Sequence, residues 1–88
     1  MKVEFKGSFV KDLKSVKNNG LLKFVKDVIE SIEKADSLSE IQNLKKLKGG
    51  NNFYRLRVGD FRIGILFKNN TVIFVRFLAR KDLYKHFP

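Results

Sequence analysis

The sequence predicts an α+β fold in the order β-α-α-β-β-β, a small antiparallel sheet with a two-helix hairpin packed on one face. Apolar residues recur at spacings of three and four between Ser8 and Ile32, the period of one face of a helix. The segments 53–58, 60–68 and 71–78 alternate apolar and polar residues, the period of a half-buried strand. The dipeptides Gly59-Asp60 and Asn69-Asn70 between them are tight-turn signals. Eighty-eight residues suffice for one domain, 1–88, with a single modest core.

Each element follows in order. KVEF (2–5) alternates and reads as a short first strand. Phe9, Leu13 and Val16 then follow helical spacing, with Ser8 as the expected N-cap. KNNG (17–20) stops this helix, and Asn18 or Asn19 caps the next. Leu21, Leu22, Val25, Val28, Ile29 and Ile32 form the apolar stripe of the second helix, and lysines and carboxylates occupy its other side. Ser37-Leu38-Ser39-Glu40 matches a capping box opening a short helical turn through Leu44. KKLKGGNN (45–52) reads as a basic, glycine-bearing loop before the three strands, and ARKDLYKHFP (79–88) as a short helix or an extended tail.

Alternation assigns the faces of the sheet. Tyr54, Leu56 and Val58 share one face, as do Phe61, Ile63, Ile65 and Phe67 in the next strand and Ile73, Val75 and Phe77 in the last. With these rows under the helices, Arg55, Arg57, Arg62 and Arg76 stand on the open face, and Arg80 and Lys81 reach its rim. Phe53, Leu66 and Phe74 are expected as an exposed apolar patch. Gly64 allows close backbone approach or a strand bend. Arg55 and Arg57 can also be read as solubility charges that block strand pairing. Arg62 resists that reading, because its strand is central.

The net charge is +10, and it is unevenly spread. Residues 1–44 hold eight Lys and seven Asp/Glu, whereas residues 45–88 hold eleven Lys/Arg against Asp60 and Asp82. Such a charge points to a polyanion, a membrane surface or an acidic protein as partner. With no cysteine and one histidine, His86, disulfide frameworks and thiolate or multi-histidine metal sites are excluded, and a cytoplasmic setting is expected. No apolar run approaches the ~18 residues of a membrane span.

LKG (47–49), YRLRVGDFRIGILF (54–67), TVIFVRFL (71–78) and ARKDLY (79–84) resemble the RelE/ParE superfamily of toxin–antitoxin toxins. The shared pattern is a leucine-lysine-glycine loop, an arginine-rich strand, a "vGdyRi" hairpin and a terminal "R-K-x-x-Y". The resemblance implies an mRNA endonuclease acting in the ribosomal A site without metal or cofactor, or alternatively a ParE-like gyrase inhibitor acting by binding alone. In the nuclease case it implies Arg55, Arg57, Arg62, Arg80 and Tyr84 as the active residues, with Lys81 a neighbouring alternative to Arg80. Lys45, Lys46, Lys48, Arg76, Lys81 and Lys85 are the expected RNA and ribosome contacts.

Cleavage of RNA by its own 2′-hydroxyl needs that hydroxyl deprotonated, the phosphorane's charge stabilised and the leaving 5′-oxygen protonated. Clustered guanidiniums serve the second need directly. Arginine is a poor base, so the phenol of Tyr84 or a lysine such as Lys48 or Lys81 is the better candidate for the first. Tyr84 can instead stack on a base. The resemblance also implies a RelB-like antitoxin as partner, acidic and partly disordered, with operator DNA bound only through it.

Overall fold

The computed structural model describes residues 1–48 and 52–88. Its elements are β1 (Lys2–Phe5), α1 (Gly7–Lys14), α2 (Asn19–Lys34), a 3-10 turn (Leu38–Glu40), β2 (Leu44–Lys46), β3 (Phe53–Val58), β4 (Phe61–Lys68), β5 (Thr71–Ala79) and α3 (Arg80–His86). The α+β order is as predicted, with an additional strand, β2, and a terminal helix, α3. The five strands form one sheet in the order β1-β5-β4-β3-β2.

β2 to β5 pair antiparallel, but β1 lies parallel to β5. The sheet is therefore mixed. No tight turn links β1 to β5: α1, α2 and the three strands β2 to β4 lie between them in the chain, which leaves the parallel direction open. Residues 44–46, expected as a turn end and the start of a loop, pair Lys45 with Arg55 and Lys46 with Tyr54. Backbone pairing overrides the weak strand propensity of lysine there. The glycines of the predicted loop, within residues 49–51, lie outside the described residues.

Local signals hold with two exceptions. Asn69 and Asn70 both take left-handed backbone (φ 52° and 57°), as a type I′ hairpin turn requires. Asn18 caps α2, its Oδ1 accepting from the Leu21 N–H at 3.0 Å. The Ser37–Glu40 capping box forms, but it opens only a single 3-10 turn and does not run to Leu44. Ser8 is not an N-cap. Lys6 holds that position, and Ser8 Oγ donates to Val75 O at 2.6 Å.

Phe9, Val25 and Ile32 of the helices bury against Leu56, Val58, Ile63, Ile65, Val72, Phe74 and Phe77 of the sheet. Phe9 lies 5.3 Å from Phe74 and 6.3 Å from Phe77, ring centre to ring centre. That both phenylalanines of β5 face the core contradicts simple alternation. Gly64 pairs with Arg76 and Ile65 with Phe74, leaving Val75 as a bulge. One extra residue reverses the parity of the strand. Phe74 therefore belongs to the core, Ile73 lies opposite Leu66 on the other face, and the expected Phe53–Leu66–Phe74 patch does not exist.

Beyond the bulge, β5 has no strand on its β1 side, and α1 closes that edge. Asp12 of α1 accepts from Phe77 N–H at 3.0 Å and from Arg76 Nε and Nη2 at 2.7 and 3.1 Å. Together with the Ser8 contact, these bonds satisfy strand groups that would otherwise be unpaired.

Candidate functional site

Cross-strand register gathers the basic residues. Arg57 on β3 lies directly opposite Arg62 on β4, and Arg55 lies between Lys45 on β2 and Gly64 on β4. Directly opposed residues share a face, so Lys45, Arg55, Arg57 and Arg62 stand on the face away from the helical hairpin. The Gly59-Asp60 turn, with Gly59 left-handed at φ 58°, joins these strands at their basic end. Arg80 enters from the start of α3, its backbone N–H donating to Asp60 O at 3.0 Å.

An open cleft of about 680 Å³ forms where these elements meet, lined by Arg57, Asp60, Arg62, Arg80, Lys81 and Tyr84 among others. At its floor Arg62 is 7% exposed. Its Nη1 donates to Gly59 O and Phe61 O, both at 2.9 Å. The Nε–H is buried without a partner. Burial lowers the pKa of this guanidinium from its ordinary value; the positive charges of Arg55, Arg57 and Arg80 lower it further, and Tyr84 acts in the opposite direction. Among the described residues, no carboxylate is ion-paired with any of these four arginines; the ion pair present is Arg76–Asp12. A buried cation with an unused donor among like charges is poised for an anion. Tyr84 stands over the cleft, 54% exposed.

This face is not helix-free. α3 packs on β4 and β5, with Leu83 fully buried, and Phe87 follows it into the sheet. Phe87 is 4% exposed, meets Phe53 edge-on at 5.5 Å, and covers Gly64. The tail thus holds Arg80 and Tyr84 at the rim.

The remaining predicted contacts separate. Arg76 is engaged by Asp12 and does not join the cluster. Lys46 pairs with Tyr54, whose side chain packs against the core, so it stands on the opposite face from Arg55. Lys45, Lys48 and Lys85 are exposed, and Lys81 lines the cleft. Asp60, read from the sequence only as a turn residue, also lines the cleft. Its position two residues before Arg62 was the available signal.

Residues 3–84 match the family described as the ParE toxin of type II toxin–antitoxin systems. The chain belongs to that toxin family. Its RelE/ParE membership extends over the full length: it is 46% identical to "Toxin RelE3" of Methanocaldococcus jannaschii, with 100% of both chains covered. "Putative toxin RelE1" of the same organism is 32% identical over 91% of this chain and 89% of that one. In structure, this RelE/ParE toxin superposes on a chain of the RelB–RelE antitoxin–toxin complex from Methanococcus jannaschii with a TM-score of 0.82, at 44% identity, covering 97% of this chain and 99% of the other. Among the described residues, no helix of the toxin is long and apolar enough to cross a membrane.

Proposed function

We propose that this toxin is a metal-independent endoribonuclease that cleaves mRNA in the ribosomal A site and so arrests translation in the cytoplasm, acting as one domain over residues 1–88. The observation that carries this reading is Arg62, buried at the floor of an arginine-lined cleft with its Nε–H unpartnered. A phosphodiester seated in the cleft lies beside the buried charge of Arg62 and compensates it.

In this reading Arg62 and Arg57 hold the scissile phosphate and Arg80 completes the cationic wall. Arg55, which lines a neighbouring cavity with Lys45 rather than the cleft, adds its charge from the side. Their combined field stabilises the dianionic phosphorane more than the monoanionic ground state, which is what lowers a barrier. Tyr84, reacting through its phenolate, takes the 2′-hydroxyl proton, and the Lys81 ammonium gives its proton to the leaving 5′-oxygen. Asp60 orients the rim. The ribosome supplies the in-line pose of the mRNA. A RelB-like antitoxin is the proposed silencing partner, supported by the relatives crystallised as RelB–RelE complexes.

The ParE family match supports a second reading, a gyrase inhibitor that binds without catalysis. Purified ribosomes programmed with a defined mRNA separate the two. The nuclease yields cuts within A-site codons, and Arg62→Ala, with its fold checked by circular dichroism, yields none. Absence of cuts by the wild-type toxin, or near-normal cutting by the variant, overturns the proposal.

A further inference from the structure

A second cavity, of about 350 Å³, lies beside the cleft, between α2, the segment leading into β2, and the end of β3. Arg57 lines both cavities. Phe24, Val28 and Leu56 provide apolar wall, and Gln42 and Asn43 provide side-chain amides. Phe24 is 49% exposed although the neighbouring Val25 is buried in the core. Its ring therefore stands at the mouth of a small cavity without being needed to fill the interior.

We infer that this cavity is a nucleobase subsite, which receives an adenine adjacent to the phosphodiester held by Arg57 and Arg62. The inference rests on the proposed RNA-directed reading of the cleft and adds the group that reads sequence. Single-stranded RNA is recognised by splayed-out bases stacked on aromatic rings and hydrogen-bonded along their edges. The parts required are an aromatic platform, an edge-reading amide and a backbone-binding cation. Phe24, the Gln42–Asn43 pair and Arg57 supply them around one opening. The volume is at the small end of the ~300–1,000 Å³ typical of ligand sites, enough for a base but not for a packed protein helix. Stacking on the Phe24 ring favours the larger purine surface of adenine over a pyrimidine, and a carboxamide can pair both its donor and its acceptor with the adenine edge. Continuity through Arg57 favours RNA as the occupant over a protein partner, since this residue borders both cavities and a strand held at the cleft by its guanidinium passes directly to the second opening.

The test uses uncleavable 2′-O-methyl hexanucleotides of A, U and C, with binding followed by fluorescence anisotropy. Wild-type toxin binds the A oligomer most tightly. Phe24→Ala weakens that binding by about fivefold or more, the lower limit for loss of one base–aromatic stack. Gln42→Ala lowers the A-over-U preference, and Arg62→Ala weakens all three oligomers together. Equal binding of A, U and C by the wild type, or unchanged affinity and preference in Phe24→Ala, overturns the subsite whether or not ribosomal cleavage is observed. Phe24-dependent preference without ribosomal cleavage upholds the subsite and rejects the nuclease reading alone.

Discussion

The ring of Phe87 occupies the space where a side chain at position 64 would stand: a Cβ built on Gly64 falls 2.8 Å from Phe87 Cγ. Gly64 lies on the central strand and Phe87 just past α3, so this contact ties the tail bearing Arg80 and Tyr84 to the most buried part of the sheet. Gly64→Ala is expected to displace the ring and lower stability by about 1–3 kcal/mol, the usual range for overpacking. Adding Phe87→Ala should recover part of that loss, because the two positions share one space. Urea denaturation of the single and double variants measures the coupling. Strict additivity would mean that the tail adjusts freely.

Asp12 should matter more than Arg76. The carboxylate serves both the guanidinium and the Phe77 N–H, whereas Arg76 has Asp12 as its ion-pair partner. Asp12→Ala is expected to cost about 1.5–3 kcal/mol, in the range of hydrogen bonds to charged groups at a partly exposed site. Arg76→Ala should cost less and leave RNA affinity intact. Equilibrium denaturation orders the two variants, and the reverse order would remove the edge-closing role.

A small anion should stabilise the folded chain through Arg62. The lowered pKa marks a base whose charged form is less favourable folded than unfolded. This penalty is therefore present below the folded-state pKa and relieved as the pH rises past it. Sulfate relieves it at neutral pH without deprotonation. Saturating sulfate should raise Tm by roughly 4–8 °C for each kcal/mol of binding, and Arg62→Gln should abolish the response. Equal shifts in both proteins, measured by calorimetry at fixed ionic strength, would assign the effect to general screening.

Tyr84→Phe distinguishes proton transfer from stacking. Loss of the hydroxyl should reduce single-turnover cleavage about 100-fold with RNA affinity unchanged, since a positioned acid–base group is worth ~10²–10⁴. A phenylalanine variant with wild-type rates would make the ring a platform only.

Affinity for single-stranded RNA should fall steeply with salt. Each phosphate neutralised contributes about −0.7 to the log–log slope, so the three arginines lining the cleft imply a slope near −2. A flat dependence in a titration from low to moderate salt would exclude a phosphate-dominated contact.

Much of the site was legible because period-two alternation is a geometric constraint. Arg55, Arg57 and Arg62 share a face in any unbroken β3–β4 hairpin, and the register sets Arg57 opposite Arg62 and Arg55 opposite Gly64 on that face. Arg80 was expected at the rim from its place after the last strand, whereas Tyr84 entered only through the family pattern, and the structure brings both to the same cleft. What alternation missed has one cause at Val75. A bulge leaves no mark in composition, yet it reverses every face before it, exchanging Phe74 with Ile73. β2 was hidden for another reason: its lysines do not resemble a strand, and its pairing is made by backbone groups that any sequence carries. Phe87 was unreadable because its partner is a glycine, which offers no apolar signal.

The closure of the β5 edge by α1 leaves the sheet ending at β1, four residues long, and β2, three. Both borders are brief, and Lys2, Lys45 and Lys46 repel an identical copy arriving alongside. Fibrous self-assembly is thereby discouraged, while an acidic strand from another polypeptide meets no such barrier.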